Sequence, residues 1–120
     1  MRATNLLENV QFRDTKPNSE PLFVDAHGRV LRFSLKPGQA IEEHRAPNSP
    51  FYVVVLEGHG IFTGKDGAEI QVGPNALLIF EPGETHSVRA LDEELVFVGF
   101  LHGVAGARPD KTGGTLSHDA

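Results

Sequence analysis

The chain has 120 residues, a net charge of −5, no cysteine, and acids and bases interspersed along its length. That size predicts one domain over residues 1–120, able to bury a single modest core. The cysteine count excludes disulfides, thiolate metal ligands and a cysteine nucleophile and fits a reducing cytoplasm. The lack of a basic cluster argues against nucleic acid, and no run of about 18 apolar residues could span a bilayer.

The opening residues, "MRATNLLENVQFRD", carry charge too early for a secretory signal. Within them, residues 3–10 are predicted to form a short helix, with Asn5 and Glu8 spaced like a capping box. Helical periodicity is otherwise nearly absent. Short β-rich runs follow one another instead, broken by turn residues at roughly 8–12-residue spacing. The predicted strands are Leu22–Ala26, Arg29–Leu35, Ile41–Arg45, Phe51–Glu57, Gly60–Thr63, Ala68–Val72, Leu77–Phe80, Thr85–Ala90 and Glu94–Leu101. Phe51–Glu57 ("FYVVVLE") is aromatic, β-branched and nearly all apolar, so it reads as covered on both faces. Asp66-Gly67 marks a hairpin turn. Residues 103–120 are Gly-rich without an apolar pattern and are expected to be a loose tail; residues 1–21 form an arm, and about 22–101 the core. An all-β chain of many short strands hides its edges by closing into a small antiparallel barrel or jelly roll.

Gly38 through Gly58 resembles the first motif of the cupin superfamily, G-x5-H-x-H-x3/4-E-x6-G. Gly38, His44 and the closing Val55-Leu56-Glu57-Gly58 match. Pro82-Gly83-Glu84-Thr85-His86 resembles the second motif, P-x-G-x2-H-x3-N, in its Gly83 and His86. The resemblance covers about residues 22–101 and implies a small single-domain cupin, an antiparallel double-stranded β-helix of the RmlC-like kind. It implies a metal held by three imidazoles and a carboxylate, but the metal motif is degenerate here. The second histidine falls on Ala46, the glutamate on Phe51 or Pro50, and the terminal asparagine on Ala90. Only His44 and His86 remain.

Two imidazoles hold a divalent ion (Fe, Mn, Ni or Zn) weakly, so a third donor is needed. Glu42 shares the strand parity of His44 and is the leading candidate unless a bulge reverses it. Asn48, Ser49, Tyr52, His59 and His102 are further candidates. The plainer readings stand beside these. An interior barrel histidine is often simply hydrogen-bonded, Glu42 and Glu43 are solvated charges, and Phe51, Tyr52, Phe80, Phe97 and Phe100 are core or dimer contacts. Ala46, Phe51, Tyr52 and Ala90 are expected to line an apolar pocket that favours an apolar or aromatic ligand.

Three functions follow. The first is a cytoplasmic protein binding a small molecule inside the barrel, at a divalent metal held by His44, His86 and Glu42 if one is present. The second is a metal-dependent enzyme of the dioxygenase or isomerase type acting on a small organic substrate. The third is a structural or partner-binding barrel. No Gly-x-Ser-x-Gly and no phosphate-binding glycine loop is present. Similar small cupins imply a homodimer, with Phe12, Leu22 and Phe23 contributing to its interface.

Overall fold

The computed structural model describes residues 1–103, so all of the expected tail except Gly103 lies outside the described residues. The architecture is two antiparallel sheets facing one another. The strands in chain order are β1 (Asn18–Val24), β2 (Gly28–Leu35), β3 (Ala40–His44), β4 (Phe51–Glu57), β5 (Gly60–Thr63), β6 (Glu69–Val72), β7 (Leu77–Phe80), β8 (His86–Ala90) and β9 (Leu95–His102). One sheet runs β1-β2-β9-β4-β7 and the other β3-β8-β5-β6. The double-stranded β-helix expected from sequence is therefore the fold observed.

The core forms between the two inner faces. Leu31, Phe33 and Leu35 of β2, Phe51, Val53 and Val55 of β4, and Leu95, Phe97 and Leu101 of β9 alternate inward. Phe62, Val88 and Ala90 meet them from the opposite sheet. Strand β4 is buried on its inner face only, its outer residues being half-exposed, so the two-sided cover expected of it is partial.

Two turns depend on backbone shapes that side chains resist. Asp66 and Gly67 both have positive φ, as the Asp-Gly signal predicts for a tight hairpin. Gly58 has φ +81°, and a Cβ there would lie 1.9 Å from the Glu94 carbonyl oxygen, so β4 can leave the sheet at this point only through glycine.

The N-terminal region departs from expectation. Residues 3–10 form one turn rather than a helix. The Glu8 amide donates to the Asn5 carbonyl, the Asn5 amide group pairs with the Glu8 carboxylate, and Asn9 at φ 56° ends the turn. Strand β1 begins at Asn18, four residues before Leu22. Pro21 obscured it, yet β1 is an edge strand and takes the proline at a register shift between Pro21 and Phe23. The arm is held by Arg32, only 5% exposed, whose guanidinium donates to the Leu6 and Glu8 carbonyls and pairs with Glu20 at 2.7 Å.

Candidate functional site

At one end of the barrel β3 and β8 bring His44 directly opposite His86. The rings meet edge to face, 4.3 Å between centroids. His86 is buried and packs against both Phe51 and Phe80, at 4.9 and 4.7 Å. His44 is half-buried at the rim. Each ring is oriented through Nδ1, that of His44 lying 2.8 Å from the Glu42 carbonyl oxygen and that of His86 3.1 Å from the Glu84 carbonyl oxygen. Each Nε2 is buried without a hydrogen-bond partner.

The His86 pKa is pushed down to about 4, first by burial and then by the neighbouring His44 charge. The Glu84 carbonyl and carboxylate oppose the shift without overcoming it. The phenyl rings from β4 and β7 decide this balance by excluding water. Glu84 itself points away. Its carboxylate accepts from the Glu81 and Lys65 amides, which ties the β7–β8 turn to the β5–β6 hairpin and lowers its own pKa.

Glu42 is not brought to the imidazoles. Ile41 pairs with Val88 and His44 with His86, so two residues of β3 stand opposite Ser87 alone. This bulge puts Ile41, not Glu42, on the face of His44. Glu42 and Glu43 are exposed and line a groove on the outer side of the sheet with Thr63, Glu69 and Arg89. The other donor candidates are also placed elsewhere. The Ser49 hydroxyl donates to the Pro50 carbonyl and accepts from the His102 amide. Asn48 is exposed, His59 is exposed and pairs with Glu93 at 2.6 Å, and Tyr52 lies against His102 at 5.5 Å. Among the described residues no group of three His, Cys, Asp or Glu could hold a metal ion.

The four residues expected to line a pocket divide. Phe51 is 3% exposed and borders the cavity beside the imidazoles. Ala46 and Ala90 are core residues, and the Ala46 carbonyl accepts from the Gly83 amide. Tyr52 is on the outer row, paired with Phe100 and Ile79. The interior is filled by phenyl rings: Phe33 stacks on Phe97 at 4.7 Å, Phe51 meets Phe33 edge-on at 6.2 Å, and Phe62 meets Phe97 at 5.3 Å. The cavity beside the imidazoles is about 10 Å³, the room of one water at most. Sequence reasoning missed Gly99. A Cβ there would lie 2.3 Å from the Phe51 ring, so this glycine makes the space that the ring occupies. A lone glycine inside the apolar run of β9 was the available signal.

A family model of the cupin domain matches residues 31–100. The chain belongs to the cupin family. No curated protein matches it. Among solved structures this cupin is similar to an RmlC-like cupin protein from Desulfovibrio desulfuricans, at 31% identity and TM-score 0.76 over 84% of this chain and 96% of that one. A protein from Thermus thermophilus shares 20% identity at TM-score 0.81, over 87% of this chain and 99% of that one. A predicted oxalate decarboxylase from Thermotoga maritima shares 18% at TM-score 0.67, over 73% and 81%. The last two likenesses are of fold alone.

A metal is what the family resemblance implies, and the two orphaned Nε2 atoms are suitable donors. The positions expected to complete the set hold the methyl of Ala46 and, for the glutamate, Pro50 or Phe51, whose ring stacks on His86 instead of lending a carboxylate. The described residues therefore do not fit a tightly held ion.

Proposed function

We propose that this cupin binds a small molecule at the His44–His86 end of the barrel without a tightly held metal, the imidazoles serving as polar anchors in an apolar recess. The observation that carries the reading is the pair of buried, unpartnered Nε2 atoms. A buried acceptor left unsatisfied costs about 1–3 kcal/mol, a cost that a guest at the pair removes. Because the cavity holds one heavy atom, the guest's body lies at the His44 rim. A cytoplasmic setting belongs to the same reading.

A weakly held divalent ion, and with it metal-dependent turnover of a small organic substrate, is the second reading, supported by the same two lone pairs. Elemental analysis of protein purified without chelator or nickel resin separates them. The binder reading expects little metal, together with ligand-induced melting shifts lost in His44→Ala. Near-stoichiometric metal, lost in both His44→Ala and His86→Ala, would replace it with the enzyme.

A second copy of this chain is the protein partner we infer. Phe23, Val30, Phe100, Tyr52 and Ile79 stand in one cross-strand row over the outer face of the five-stranded sheet, with Leu77 beside them. No residue of the row is itself charged, Arg2 of the N-terminal arm lies over the Phe23 ring at 5.2 Å, and of the sequence candidates Phe23 lies in the row. Phe23, Phe100, Ile79 and Leu77 are 38, 36, 57 and 63% exposed. Their open area is on the order of 400 Å², about half of what one partner gives a standard interface. With a net charge of −5, two copies repel except where charges are absent. Sedimentation showing only a 13.0 kDa species at micromolar concentration would remove this partner.

A further inference from the structure

The geometry of the two imidazoles restricts the guest further. A carbonyl oxygen only accepts hydrogen bonds. The Nδ1 atoms facing the Glu42 and Glu84 carbonyls must therefore carry the protons, which leaves each Nε2 as a bare lone pair. Both rings border the same cavity, and each Nε2 is buried without a partner. Their neighbours on this face are Ile41, Phe51, Phe80 and Val88, which bring no donor. Ser87 alternates to the opposite face, between the inward His86 and Val88.

We infer that the site admits a neutral hydrogen-bond-donating head group, a hydroxyl or an amine, and turns away carboxylates and other acceptor-only groups. This rests on the small-molecule reading above and narrows it. A third acceptor placed between two lone pairs is repelled by both and satisfies neither, whereas one O–H or N–H satisfies an Nε2 at once. A cation gains less, because no carboxylate faces the cavity to offset its lost hydration.

The test is imidazole ¹⁵N NMR on the full chain at neutral pH, titrated with phenol, benzoate and anisole, which share a ring and differ in the head group. The expected result is the Nδ1–H form for both rings in the free protein. Phenol should move at least one Nε2 resonance and bind at least about tenfold more tightly than benzoate or anisole. An Nε2–H form of either ring in the free protein overturns the inference. So does benzoate or anisole moving the resonances as strongly as phenol, a result that leaves small-molecule binding itself standing. If no probe moves either ring, binding at this end of the barrel fails and donor selectivity fails with it.

Discussion

The burial of His86 makes this fold sensitive to mild acid. Its folded pKa is about 4 against 6.5 for the free side chain. Between those values the unfolded chain binds the proton and the folded chain does not, so stability is complete above 6.5 and falls as pH drops toward 4. A difference of about 2.5 units corresponds to roughly 3 kcal/mol, most of it gone by about pH 4.5. For a domain of this size that lowers the melting temperature by on the order of 10 °C. The assay is urea unfolding of the wild type and His86→Phe across this range. Phenylalanine keeps a ring packed against Phe51 and Phe80 and cannot be protonated, while the carboxylates titrate in both proteins. The wild type should lose roughly 2–3 kcal/mol more than the variant on going from neutral pH to about 4.5. Equal losses, or an NMR midpoint for His86 near 6.5, would refute the reasoning.

Other substitutions probe other parts of the structure. Gly99→Ala drives a methyl into the Phe51 ring and should cost about 1–3 kcal/mol in chemical denaturation, with the loss reduced in Gly99→Ala/Phe51→Leu. Arg32→Met removes the clamp on the Leu6 and Glu8 carbonyls and should speed proteolytic cleavage before β1 while leaving the barrel's circular dichroism unchanged. Ala46→His/Phe51→Glu should acquire near-stoichiometric zinc or nickel by elemental analysis, with a metal-dependent rise in melting temperature, whereas Phe51→Glu alone should be strongly destabilised. Ile79→Lys should shift sedimentation at micromolar concentration from dimer to monomer without altering the fold.

The strands were legible because their signals are local. Apolar alternation and glycine or proline punctuation set β4, β5 and β7 at their observed limits, and the spacing of Gly38, His44, Gly58, Gly83 and His86 placed both imidazoles on inner faces. What was not legible depends on neighbours distant in sequence. The β3 bulge is one extra residue of backbone, and "IEEH" reads equally well as an unbroken strand, so parity misplaced Glu42. Whether the barrel is open or filled depends on how rings from β2, β4, β5, β7 and β9 mesh, and no single strand carries that information. The proton affinity of His86 likewise comes from Phe51 and Phe80, each more than five residues from it along the chain. The single turn at Asn5–Glu8 shows the reverse case: a correct local pairing too short to nucleate a helix.

The seating of the Phe51 ring on Gly99 constrains how this protein can change. Any side chain at 99 calls for a smaller residue at 51, and a carboxylate at 51 leaves a void above the glycine together with an unneutralised charge. The step that puts a carboxylate at position 51 therefore passes through a weakened intermediate. Small alterations near this end of the barrel retune what the imidazole pair accepts far more readily than they rebuild a cage for an ion.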